Sequence, residues 1–116
     1  MKSTKEMVVQ LMEIHGSAAE VYDRVMALTG PKRDEAQIYY VIGESLYEKG
    51  CYKTSIFYLS KALELRPERQ LYRLLLGMAY ELTGEKEKAV ETYACIAETK
   101  YESRFIVDRL VALGSN

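Results

Sequence analysis

Residues 36–69 read AQIYYVIGESLYEKGCYKTSIFYLSKALELRPER, and the reading of this stretch decides the fold. Gly50 stands between two spans of helical periodicity, where a glycine can take the left-handed conformation that ends a helix without a Cβ penalty. Gly16 and Gly84 lie at one spacing on either side of it, 50 − 16 = 34 and 84 − 50 = 34. A fixed period in this range signals stacked repeats, so the chain divides into three helix-turn-helix units.

Other positions keep the same register. Ile42 and Leu76 are apolar, Gly43 and Gly77 small, Leu46 and Tyr80 large, Ser55 and Ala89 small again. Two helices approach to about 8–10 Å only where a small side chain leaves a groove, so Gly43 and Gly77 mark close contacts between paired helices. Local signals predict seven helices. Ser3 with Glu6 and Ser17 with Glu20 spell capping boxes at the first two helix starts. Thr29-Gly30-Pro31 closes the first pair, and Pro67, tolerated at a helix start but not inside one, divides the second unit from the third.

A 34-residue unit bearing Tyr39, Ile42, Gly43, Leu46, Gly50, Tyr52, Ser55, Leu59, Ala62 and Pro67 resembles the tetratricopeptide repeat (TPR). The third unit, about 70–103, supplies Leu76, Gly77, Tyr80, Gly84, Ala89 and Tyr93, but has Arg73 where that family prefers an aromatic and Tyr101 where it prefers proline. The first, about 2–35, is degenerate. It keeps Gly16 and apolar Val8, Met12, Val21, Val25 and Leu28, places Val9 at the small-residue site, and carries Pro31 two residues early. A last stretch, about 102–113, sets Phe105, Ile106, Arg109, Leu110 and Leu113 at helical spacing before Gly114, like the helix that caps such arrays. The resemblance implies an all-α fold: three TPR-type repeats in a right-handed superhelix plus a C-terminal capping helix, forming a single domain over residues 1–116.

Composition narrows the function. With 16 basic and 17 acidic residues scattered along 116, no polycationic face suited to nucleic acid is evident. No signal-peptide core or membrane span is legible, because Gln10 and Glu13 break the first apolar run and Arg73 and Glu81 interrupt the greasiest one. An intracellular, cytoplasmic protein is expected. Cys51 and Cys95 form no CxxC and read as reduced structural thiols. His15 is the single imidazole, beside a turn, and Glu85-Lys86-Glu87-Lys88 reads as a solvated helix start. Phosphate-loop motifs are absent, so neither an enzyme nor a cofactor or metal protein is expected. Tyr52, Tyr80 and Tyr93 recur in core slots of the repeat, so packing accounts for most of the ten tyrosines.

In TPR proteins the first helices of the hairpins line a concave face that receives an extended or helical peptide, so the resemblance implies a protein or peptide partner. The groove-facing positions carried over are Glu6, Gln10 and Glu13; Gln37, Tyr40, Glu44 and Tyr47; and Leu71, Leu74, Met78 and Glu81. Residues 71–82 are apolar on every side, and a helix of that kind is normally buried all round. Leu71, Leu74 and Met78 are therefore expected to face solvent until a partner covers them, the alternative being cover by Leu113 and neighbouring loops. The subclass that clamps chaperone carboxylates is excluded, since Glu6, Gln10, Val41, Leu71 and Leu75 replace its cationic and amide groups. The leading expectation is an adaptor or chaperone whose apolar groove takes an amphipathic segment. Its rivals are a self-associating, homodimeric scaffold segment, as in subunits of the anaphase-promoting complex, and a chaperone of type III secretion, which is similar in architecture only.

Overall fold

A computed structural model of the chain describes residues 3–31, 33–97 and 103–114. Among the described residues seven helices follow one another: α1 (Thr4–Ile14), α2 (Ala18–Leu28), α3 (Glu35–Glu48), α4 (Tyr52–Leu65), α5 (Gln70–Leu82), α6 (Lys86–Ala97) and α7 (Arg104–Ala112). The described residues hold no strand. Consecutive helices pair as hairpins and the hairpins stack, which draws the molecule out to 46 × 27 × 20 Å.

The helix ends follow from short-range chemistry. Ser3 Oγ accepts from the Glu6 amide at 3.1 Å and Ser17 Oγ from the Glu20 amide at 3.4 Å, each satisfying a first-turn donor that the helix itself leaves unpaired. Asp34 Oδ1 does the same for the Gln37 amide at 3.2 Å. At the other ends, Gly50 (φ 82°) and Gly84 (φ 78°) are left-handed. The amides that follow them, of Cys51 and Glu85, reach back to the carbonyls of Leu46 and Tyr80, both at 2.9 Å. These are Schellman closures, and they end α3 and α5 in one shape because glycine stands at the same place in both repeats.

Gly16 departs from that pattern. It has no positive φ, and α1 ends instead on His15 in an extended conformation, with His15 Nδ1 3.5 Å from Glu20 Oε1. The period is kept in sequence there but the turn is built differently.

Between paired helices the small residues do what their spacing predicts. A Cβ on Gly43 would stand 2.8 Å from Leu59 Cγ, and one on Gly77 would stand 2.6 Å from Tyr93 Cε1. Ser55, fully buried, donates to the Gly43 carbonyl at 2.7 Å. The first hairpin has Val9 in place of those glycines. Its helices cannot close in the same way, so Val9 is left 37% exposed, and α1 leans on α3 more than on α2.

One core cluster runs from Val8, Met12, Val21 and Val25 through Ile38, Ile42 and Leu59 to Tyr72, Leu76 and Ala79. A second, of Ala89, Tyr93, Ile96 and Ile106, joins α6 to α7, with Leu74, Met78, Tyr80, Leu110 and Leu113 packed against it. Tyrosines bind the hairpins together: Tyr22 stacks on Tyr39 with ring centroids 4.7 Å apart, and Tyr40 on Tyr72 at 4.4 Å. Cys51 and Cys95 are both exposed free thiols, which corrects the expectation of structural ones. Residue 101 and the first residue of the expected capping segment, 102, lie outside the described residues.

Candidate functional site

The groove positions read from the sequence lie on α1, α3 and α5, and the structure sorts them into three groups. Glu6, Gln10 and Glu13 on α1 and Gln37 on α3 are exposed. Tyr40 and Glu44 are drawn into a seam instead of lining an open surface. Tyr40 is buried against Tyr72, its hydroxyl donates to Glu44 Oε2 at 3.4 Å, and Glu44 Oε1 stands 3.5 Å from Lys5 Nζ. Burial first, and the Glu44 carboxylate second, push the Tyr40 phenol well above its ordinary value. Tyr40 is thus a packing residue that ties α3 to α5.

Tyr47, Met78 and Glu81 line one cleft, together with Leu82, Phe105 and Arg109, of about 240 Å³. Glu81 does not present a free charge there. It accepts from Arg109 Nε at 2.8 Å, from a second Arg109 nitrogen, and from the Tyr93 hydroxyl at 2.8 Å. Those donors, Arg109 foremost, hold its carboxyl below the usual range although burial works the other way. In turn, burial and the neighbouring carboxylate push the Tyr93 phenol up. The groove residue Glu81 is therefore half of an ion pair that pins α7 to α5 and α6.

Leu71 and Leu74 line a second cleft, of about 270 Å³, with Gln70, Ile96, Ser103 and Ile106. Leu71 is 59% exposed. Leu74 and Met78 are half-buried, since Tyr93, Ile96 and Ile106 of the second core cluster pack against them. The expectation that all three face solvent is corrected for these two. Part of that cluster comes from α7, which contributes Ile106. At its near end α7 presents Phe105, 43% exposed, whose ring meets Tyr93 edge-on with centroids 6.4 Å apart.

Phe105, Ile106 and Arg109 are groove residues that the sequence reading placed only in the capping helix. The signal was available for one of them: Phe105 lies 34 residues after Leu71, so the repeat register itself carries the groove onto α7. No such signal exists for Arg109, whose pairing with Glu81 spans 28 residues. Among the described residues no group of three or more His, Cys, Asp or Glu side chains is placed to hold a metal ion, and no helix is long and apolar enough to cross a membrane.

Stacked helical hairpins closed by glycine turns and small-residue contacts, with clefts along the first helices, define an array of helical repeats. The tetratricopeptide repeat family matches residues 36–69 and 72–94, and the chain belongs to that family. Compared with curated proteins, the chain finds no match. The two matched spans are the hairpins with Gly43 and Gly77; the hairpin opened by Val9 lies outside them. A tetratricopeptide array is, in general terms, a protein–protein interaction module.

Proposed function

We propose that the chain is an adaptor that holds an amphipathic peptide or helix of a protein partner, seating one apolar side chain in the cleft between α5 and α7. The observation that carries this reading is Leu71, 59% exposed at the rim of a cleft whose other walls are largely apolar. At about 270 Å³ the cleft falls below the ~300–1,000 Å³ typical of small-molecule sites, which suits a side-chain anchor better than a cofactor. Complete burial of an exposed leucine gains about 1.5–3 kcal/mol, of which Leu71, already partly covered, would gain a share.

The test is a panel of synthetic amphipathic peptides titrated into isotope-labelled protein. Chemical shifts are expected to move at Leu71, Leu74, Phe105 and Ile106, and Leu71→Gln is expected to weaken binding without changing the thermal melt. Shifts confined to α4 and α6, or affinity indifferent to Leu71→Gln, would refute the site.

A second reading, self-association as a scaffold, has an observation of its own. Val111 lies 34 residues after Gly77, at the place where the inner hairpins seat their second helix, and both it and Val107 are exposed. Light scattering over a range of concentrations separates the two readings, since only the second makes mass rise with concentration and fall in a Val107→Glu, Val111→Glu variant.

A further inference from the structure

Positions 9, 43, 77 and 111 share one place in the repeat register, and they hold Val, Gly, Gly and Val. At Gly43 and Gly77 the second helix of the hairpin is seated, through Leu59 of α4 and Tyr93 of α6. At Val111 the seat is open, and the side chain is 63% exposed. Val107, one turn earlier, is 49% exposed, and Arg104 and Asp108 flank the two valines. At roughly 3.6 residues per turn these four fall on the face of α7 opposite buried Ile106. The valine face runs on into a depression of about 420 Å³ between the end of α7 and the start of α6. Gly114, whose amide donates to the Val111 carbonyl at 3.0 Å, lines that depression with Leu113, Lys86, Glu87, Val90 and Glu91. Glu87 and Glu91 lie one turn apart on α6, are exposed, and are in no ion pair among the described residues. With two carboxylates against one ammonium the wall is acidic. Arg104, at the other end of α7, is 91% exposed and meets Asp108 of its own helix at 3.5 Å, a surface pair that is worth little and readily exchanged.

We infer that a second copy of this chain covers this face, the α7 helices of the two copies packing antiparallel about a two-fold axis. This rests on the self-association reading and adds the orientation and the charge pairing to it. A two-fold contact requires a patch that is complementary to itself. In an antiparallel pair, the register that sets Val107 opposite the partner's Val111 also sets Gly114 opposite the partner's Arg104, since each lies three residues further out. Each guanidinium then enters the acidic wall of Glu87 and Glu91, and symmetry makes the exchange twice. A parallel pair in register would set Arg104 beside the partner's Arg104 and leave both carboxylates unmet. Valine suits such a contact, because it fills the hollow that glycine leaves and two valine faces meet at the wider spacing of ordinary helix pairs. At nine residues α7 is about 13 Å long, too short to bury the roughly 800 Å² per partner of a standard interface, so the dimer is a weak one. The α5–α7 cleft, walled by Ile106 on the other side of α7, stays open in both copies.

Sedimentation equilibrium of the full chain in low salt, from about 10 μM to about 1 mM, spans the range in which so small a contact associates. The mass is expected to rise from 13.3 kDa toward twice that value. Arg104→Glu should weaken the association about tenfold, because the pairs on both sides of the axis turn repulsive at once, and Glu87→Lys with Glu91→Lys should do the same. The variant carrying all three changes should restore it, and Leu71→Gln, in the cleft, should leave it untouched. Every substituted side chain is exposed, so the circular-dichroism melts should match the parent's. A mass that rises in the parent and not in Val107→Glu with Val111→Glu, yet ignores the charge reversals or is not restored by combining them, overturns the antiparallel pairing and leaves self-association through this face standing. A mass that stays at 13.3 kDa throughout, as it would if a helix of another protein covers the face, or that rises equally in the valine variant, overturns both.

Discussion

Replacing Gly77 by alanine sets two effects against each other, and the structure says which wins. An alanine in a helix interior is favoured over glycine by about 1 kcal/mol, so at an open site the change would stabilise. At Gly77 the new Cβ would stand 2.6 Å from Tyr93 Cε1, 2.9 Å from Cδ1 and 3.2 Å from Cζ. No real contact of that kind is tolerated, and the ring cannot swing aside freely: Tyr93 is fully buried, and its hydroxyl is tied to Glu81 at 2.8 Å. Overpacking of a filled core costs about 1–3 kcal/mol. Displacing the hydroxyl weakens a hydrogen bond to a charged group, a class worth about 1.5–3 kcal/mol when lost outright. Set against the gain in helix propensity, the net expectation is a loss of about 1–3 kcal/mol.

Urea denaturation followed by helical circular dichroism reads this directly. With a slope of about 1–3 kcal/mol per molar urea, the midpoint should fall by roughly 1 M at an unchanged slope. A Gly77→Ala protein as stable as the parent, or more so, would refute the close contact between α5 and α6 and with it the register that places Tyr93 beside Glu81.

The remaining glycines make a graded series. Gly50→Ala meets no atom within 4 Å but must hold φ near 82°, so a loss of about 1–2 kcal/mol is expected; Gly16→Ala meets neither obstacle and should be neutral or stabilising by about 0.4–1 kcal/mol, both read from thermal midpoints. Met78→Glu puts a carboxylate beside the apolar cluster of Tyr93 and Ile106, and should cost about 1–3 kcal/mol in urea titrations; a stability matching the parent's would show Met78 to be surface after all. Glu81 has its folded pKa depressed by Arg109, so its contribution is present above the unfolded value of about 4.3 and is lost as pH falls through the folded value. Arg109→Gln should therefore differ most from the parent in urea midpoint at neutral pH, with the difference narrowing below about pH 4; a constant difference from pH 7 to pH 3 would show that the ion pair contributes nothing.

How far the sequence carries depends on whether a feature is local. The turns at Gly50 and Gly84, the caps at Ser3 and Ser17 and the contacts at Gly43 and Gly77 each rest on residues close in sequence or one period apart, so spacing alone locates them. Val9 also shows in sequence that the first hairpin is irregular, because a β-branched residue cannot serve where glycine does. The groove was less legible. Register assigns Tyr40 to the groove side of its helix, but spacing does not reveal that Tyr72 will stack on it and bury it. Nor does it reveal that Arg109, on the last helix, will neutralise Glu81 on the fifth. Both are tertiary choices, made by side chains that reach across between hairpins.

The same distinction resolves why α5 is apolar on every side. Tyr72, Leu76 and Ala79 belong to the main core, and Leu74 and Met78 pack against the α6–α7 cluster, so two of its faces are covered by the array itself. What stays exposed are its two ends, Leu71 at the start and Leu82 at the finish, and each lines one of the two clefts that α7 helps to wall. The helix that caps the array thus also shapes its open surface: Ile106 closes over the second core cluster while Phe105, its neighbour, stays half out beside Leu82. A partner that covers Leu71 at one end and Leu82 with Phe105 at the other buries several large apolar side chains, at about 1.5–3 kcal/mol each when fully covered. It must do so without displacing α7, because the seat beneath that helix is already filled.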